Sequence, residues 1–230
     1  MTEVDRRTVL AGAAAVAAAP SFTAQAQTAP SPTAPAFEAK PLPFDPKAVP
    51  GLSERLLTSH HQNNYGGAVR RLGQITQAFA ALDPAAAPGF QLNGLKREEL
   101  LAWNSMILHE LYFAGFGQPN RPAAALAQAI ERDFGSHDRW RTEFASMGKA
   151  LGGGSGWVLL TWSTRDRRLV NQWAADHTMT LAGSTPLLAL DMYEHAYHID
   201  YGANAGAYVD VYMRAIDWTA ASRLHQSLAA

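Results

Sequence analysis

The chain has 230 residues, with 19 Lys and Arg against 20 Asp and Glu, and a formal net charge of −1. That balance excludes a nucleic-acid binder, which needs a surplus of cations, and a composition 47% hydrophobic and 17% charged excludes a disordered or collagen-like chain. There is no cysteine, so disulfides, thiolate nucleophiles and sulfur-held metal sites are excluded; any metal must be held by nitrogen and oxygen.

The N-terminus reads as an export signal over residues 1–26. Arg6-Arg7-Thr8-Val9-Leu10 precedes an apolar, alanine-rich run from Ala11 to Ala19, and Ala24-Gln25-Ala26 supplies a small-x-small cleavage pattern. Paired arginines before a modestly apolar core point to the twin-arginine route and a periplasmic or otherwise exported protein. The run is too short to span a bilayer, and no other segment is a candidate span, so no stable membrane insertion is expected. Residues 27–50 form a proline-rich lead-in: eight of the thirteen prolines lie in the first 50 residues, which predicts extended backbone.

Ser53 is a candidate N-cap, with Glu54 in the first turn of a helix reaching Leu72 or beyond. Gly66 and Gly67 weaken that helix unless another backbone packs closely there. A second helix is predicted from Arg97 to about Phe113, ending at Gly115 and Gly117 before Pro119. These two helices make a hairpin over 51–118. A third runs from Ala123 to Phe134 and a fourth from Ser136 to Leu151, stopped by Gly152-Gly153-Gly154. Trp157 to Trp162 is a buried-strand run, Thr164-Arg165-Asp166 a turn, and Leu169 to Trp173 a returning strand. Leu187 to Leu190, opened by Pro186, is a third apolar segment, and one long amphipathic helix from Tyr208 to Leu228 closes the chain. The predicted class is therefore α+β, an N-terminal helical hairpin followed over 119–230 by a small three-stranded antiparallel sheet flanked by helices.

Eight histidines are spread unevenly. His60 and His61 fall in the first helix, His109 in the apolar middle of the second, and His195 and His198 just beyond Asp191. A histidine on an apolar helix face is often only a hydrogen-bonded core residue. Asp191 is different, because a carboxylate closing an apolar run costs several kcal/mol to bury unless paired or metal-bound. His195 lies four positions further on, so the two side chains can converge on a metal.

Several motifs then resemble one family. Asp191-Met192-Tyr193-Glu194-His195-Ala196-Tyr197 is similar to the D-x-W-E-H-A-Y motif of iron/manganese superoxide dismutases, with Tyr193 in place of tryptophan. Gly154-Ser155-Gly156-Trp157 resembles the family's G-S-G-W, Asp133-Phe134-Gly135-Ser136 its F-G-S, and Leu108-His109-Glu110-Leu111-Tyr112-Phe113 its N-H-x-x-F-W. The segment from Ser59 to Leu72 aligns without a gap to its first helix.

The resemblance implies a mononuclear site of His60, His109, Asp191 and His195, holding one Fe or Mn ion per subunit and completed by solvent. Superoxide would be the substrate. It further implies that His177 stands where most relatives place a glutamine against that solvent, an imidazole titrating near neutrality that would feed protons to peroxide. Trp157, Tyr112, Phe113 and Trp173 would wall the metal. Glu194 and Tyr197 would meet a second copy across a two-fold axis in a homodimer. The family's gateway tyrosine falls at Ala68 and its neighbouring histidine at Asn64, so the gateway is rebuilt; Tyr65 restores a hydroxyl only if it turns inward. Weaker dismutation follows, and the alternative is an exported metal-binding protein of the same fold with little or no turnover. A zinc hydrolase is the weaker third reading, since no general base stands beside an open position.

Overall fold

The computed structural model describes residues 36–229, which belong to one compact unit. The export signal expected over 1–26, and positions 27–35 of the lead-in, lie outside the described residues. The class is α+β as predicted. Helices α1 (Glu54–Ser59), α2 (Gly66–Ala80), α3 (Gly89–Ala114), α4 (Ala124–Phe134) and α5 (His137–Ala150) precede strands β1 (Trp157–Ser163), β2 (Arg168–Ala174) and β3 (Ser184–Asp191). Short α6 (His198–Tyr201), then α7 (Ala205–Ala215) and α8 (Thr219–Ala229), follow. No helix among the described residues is long and apolar enough to cross a membrane.

Ser53 caps α1 as expected, its hydroxyl accepting from the Leu56 N–H at 3.1 Å. The predicted first helix is not uniform, however. His60–Tyr65 form one π-helical segment between α1 and α2. In π geometry residues five apart share a face, which puts His60 and Tyr65 together in the interior. No second backbone packs on Gly66 or Gly67; a Cβ at either would meet the Arg70 side chain.

α3 begins at Gly89, earlier than Arg97, and packs along α2. Gly135 ends α4 in the left-handed region (φ 86°) and Ser136 caps α5, accepting from the Arg139 N–H at 3.1 Å. The single C-terminal helix expected over Tyr208–Leu228 is instead two helices broken at residues 216–218. Asp217 makes the break: its carboxylate accepts from the N–H of Thr219 (2.9 Å) and of Gln118 (3.0 Å), while its own N–H donates to the Gly115 carbonyl (2.8 Å).

The sheet order is β2-β1-β3, antiparallel throughout. β1 is buried along its whole length, so both faces of its apolar run are covered. β3 starts at Ser184, with Pro186 inside the strand; the pairing with β1 skips Leu187 between Leu160 and Thr161, a bulge beside the residue that cannot donate to the ladder. The register aligns Trp157 with Ala174 on one side and Asp191 on the other. Trp157 and Asp191 therefore face the same way, towards α1–α3. Trp173, one position out of phase, faces the other way and is 50% exposed. It takes no part in the aromatic wall assigned to it.

Candidate metal centre

His60 comes from the π segment, His109 from α3, Asp191 from the end of β3 and His195 from the 3-10 turn Glu194–Ala196. The structure brings all four together. Asp191 Oδ2 lies 3.2 Å from His60 Nε2, 3.6 Å from His109 Nε2 and 3.1 Å from His195 Nε2. One ligand atom from each residue falls within 4.8 Å of the others. Donors bound to one ion at about 2.1 Å sit some 3–4 Å apart, so small adjustments close the site on a single metal.

At His60 and His109 hydrogen bonding leaves the same nitrogens free, whereas His195 Nε2 is hydrogen-bonded to Asp191 Oδ2 at 3.1 Å. His109 Nδ1–H donates to the Ser105 carbonyl at 2.6 Å, which places the lone pair on Nε2. His109 Nε2 and both His60 ring nitrogens are buried without a hydrogen-bond partner. At 3.2 Å, His60 Nε2 and Asp191 Oδ2 are near neighbours whose alignment is not that of a hydrogen bond. Orphaned buried acceptors are costly unless something fills the space between them. Three imidazoles and one carboxylate suit iron or manganese, so the residues present fit the ion. His225 is also buried with both nitrogens unpartnered, but it stands beside Trp162, outside the cluster.

Electrostatics agree. Burial lowers the His60 pKa, against the pull of Asp191, and burial with His60 beside it lowers His109 to about 3. Both are neutral, as metal ligation requires. Burial alone would raise the Asp191 carboxyl, yet His195 and His60 hold it well below the usual carboxylate range. Asp191 Oδ1 accepts from the Tyr193 N–H at 2.9 Å.

His177 is beside the cluster, its ring 6.1 Å from that of His109. The Trp157 indole N–H donates to His177 Nδ1 at 2.9 Å. A neutral His177 therefore carries its hydrogen on Nε2. Desolvation by burial lowers its pKa from the ordinary 6.5. Tyr193, in the tryptophan position, stacks on both His177 (4.9 Å) and His195 (5.4 Å). Trp157, Tyr112 and Phe113 wall the cluster as expected.

Tyr65 does turn inward, through the π segment, but away from His177. Its hydroxyl donates to Glu110 Oε1 at 3.0 Å and accepts from the Lys40 N–H at 2.9 Å. It does not restore the gateway. Asn64, Ala68 and Ser105 instead line, with His177, a cavity of about 390 Å³. Glu194 is exposed, whereas Tyr197 is 1% exposed and stacked on Tyr208 inside its own chain.

Three supporting residues gave no signal in the sequence. Ser105 acts on His109 through its backbone carbonyl. Asn104 Nδ2 donates to the His177 carbonyl at 2.6 Å, and the Tyr208 hydroxyl donates to the Asp191 carbonyl at 2.8 Å. Two of the three bonds go to a backbone carbonyl in a distant segment, and at His109 Nδ1 the Ser105 hydroxyl adds a longer contact at 3.4 Å to that of its carbonyl.

The family model for iron/manganese superoxide dismutases, C-terminal domain, matches residues 122–224. The chain is 64% identical over 186 residues to a protein of Cupriavidus metallidurans named an iron superoxide dismutase, covering 81% of this chain and 94% of that one. It is 33% identical over 186 residues to a manganese superoxide dismutase of Halobacterium salinarum (79% and 91% covered), and 32% identical over 181 residues to an iron superoxide dismutase of Aquifex pyrophilus (75% and 84% covered). With four metal-competent side chains meeting where its motifs imply, this chain belongs to the iron/manganese superoxide dismutase family.

Proposed function

We propose that the protein is an exported superoxide dismutase in which His60, His109, Asp191 and His195 hold one iron or manganese ion per subunit. The observation that carries this reading is the convergence of the four donors, with the His60 and His109 Nε2 atoms left free of hydrogen bonds, in a member of this family.

Two superoxide anions and two protons give dioxygen and hydrogen peroxide. Bound iron or manganese supplies the one-electron couple through which one superoxide is oxidised and the next reduced. The chain's own residues hold that couple and handle protons. Ser105 keeps His109 in the ligating tautomer, and Asp191 contributes the one negative charge. Peroxide must leave protonated, so a hydrogen-bond donor has to stand where it forms. His177 takes that role: Trp157 fixes its Nδ1 as acceptor, so Nε2–H is the donor, while Asn104 holds its backbone carbonyl and Tyr193 stacks on the ring. The cavity beside Ala68 and Asn64 is the entry path, with room for water where relatives carry larger side chains.

A homodimer extends the reading. The His195 side chain is 25% exposed in the single chain and exposed Glu194 is next to it. A carboxylate from a second copy on His195 Nδ1 would fix its tautomer and cover the site. Tyr197 has no comparable exposure, so Glu194 carries the contact. Arg6-Arg7 and the Ala11–Ala19 run support export by the twin-arginine route. The start of the family match at residue 122 supports the division into 51–118 and 119–230.

Superoxide consumption by metal-loaded protein, followed in stopped flow, tests the reading. Decay above the uncatalysed rate should be proportional to metal content and lost in Asp191→Ala. Full metal occupancy with decay no faster than the uncatalysed reaction would instead support metal retention without turnover.

A further inference from the structure

Away from the histidine cluster, a cavity of about 320 Å³ is walled by residues 119–122, the start of α5 and the break between α7 and α8. Arg121, Arg141, Arg214 and His137 line it, and no carboxylate does. None of the three arginines is in an ion pair among the described residues.

Three other cavities among the described residues pair their cations with carboxylates, and a fourth, lined by Arg132 and Arg167, has one of its two arginines paired, with Asp133. Where Lys40 lines one, Glu110 faces it at 2.5 Å. Where Arg139 and Arg168 line another, Asp133 and Glu143 line it too. Beside Ala68, the Arg71 guanidinium is bonded to Glu98. In a chain of net charge −1, three uncompensated guanidiniums around one concavity repel each other, and an anion between them relieves that repulsion.

The walls are fixed in advance. Asn120 pins the loop that carries Arg121: its side-chain amide donates to Asp217 Oδ1 (2.8 Å) and Thr219 Oγ1 (3.0 Å), and its Oδ1 accepts from the Trp218 N–H (2.8 Å). Arg141 Nη1 donates to the Met213 carbonyl at 2.7 Å, which orients its guanidinium. A donor already held in place loses little entropy when a ligand arrives. Asp217 is spent on this loop, and Asp138 and Glu131, the acidic groups near His137, do not line the cavity.

We propose that this cavity binds a phosphoryl group, as inorganic phosphate or a small phosphomonoester, through Arg121, Arg141 and Arg214. Planar guanidinium forks match the several oxygens of a phosphoryl dianion better than the two of a carboxylate. The volume is at the lower end for small-ligand sites, about 300–1,000 Å³.

Calorimetric titration of the metal-loaded protein, at low ionic strength in a phosphate-free buffer, tests this with inorganic phosphate and with glycerol 1-phosphate. Phosphate can also reach the histidine cluster, so the decisive comparison is Arg121→Gln/Arg214→Gln, two exposed positions, against Arg139→Gln/Arg168→Gln as a charge-matched control. The expected result is saturable binding of one ligand per chain, weakened at least about tenfold in the first variant through loss of charge-assisted hydrogen bonds and retained in the control. Tighter binding of glycerol 1-phosphate assigns a phosphomonoester; equal or tighter binding of phosphate assigns the free ion. Should the double variant fail to fold, Arg214→Gln alone makes the same comparison. Absence of saturable binding, or equal binding by all the proteins, overturns the proposal.

Discussion

Asp191 joins the three imidazoles, since each Nε2 is within 3.6 Å of its Oδ2. Asp191→Ala removes both the charge and the shared contact, and the predicted outcome is loss of tight metal binding with the helices retained, measured by metal analysis beside circular dichroism. His177 makes a different prediction. Because burial lowers its pKa below the ordinary 6.5, it is neutral above that value and its Nε2–H donor persists as pH rises. Turnover should therefore show no break near neutrality from this group. His177→Ala should lower it by about a hundredfold, the low end of what a positioned proton donor contributes, and His177→Gln should restore part of the loss. A decline centred near pH 7 in the wild type that vanishes in His177→Gln would contradict this tautomer assignment.

Among the elements, the most constrained point is the entry to β1. Gly156 has φ 129°, and a Cβ there would be 2.2 Å from the Ala174 carbonyl oxygen. Its carbonyl accepts from the Met192 N–H at 2.9 Å, so it ties β1 to the turn that carries His195. Gly156→Ala is predicted to cost about 2–4 kcal/mol in urea unfolding and to weaken metal retention at the same time. Helices α4 and α5 and strands β1 and β2 were legible because their signals are local: Gly135 and Ser136 at the helix junction, an apolar run, a polar turn. The π segment and the break at 216–218 were not. Their causes are long-range, a packing preference that turns His60 and Tyr65 to one side and an Asp217 cap shared with Gln118. The convergence of His60, His109, Asp191 and His195 was legible from the family's motifs, whereas the backbone carbonyl of Ser105 that orients His109 leaves no trace in residue type.

At the scale of the whole molecule, stability is linked to pH through the buried histidines. In the metal-free protein His109 stays neutral down to about 3, and His60 is likewise lowered, while unfolded imidazoles take up protons near 6.5. Between pH 6.5 and 3 the unfolded chain binds more protons, so stability falls as pH falls, by about 1.4 kcal/mol per pH unit for His109, with a loss of the same sign from His60. Asp191, depressed below its ordinary 3.8, adds a loss of the same sign below that value. Urea midpoints of metal-free protein at pH 7.5 and 5 should differ accordingly, and the difference should shrink in His109→Gln. Assembly gives a second prediction: Glu194→Ala should shift the sedimentation profile towards monomer and speed metal loss together. The most direct measurement of the central claim is anomalous diffraction from crystals of metal-loaded protein at the iron and manganese edges. One peak per chain, within bonding distance of His60 Nε2, His109 Nε2, His195 Nε2 and Asp191 Oδ2, is the predicted result; a metal elsewhere, or these four side chains closed on no metal, would contradict it.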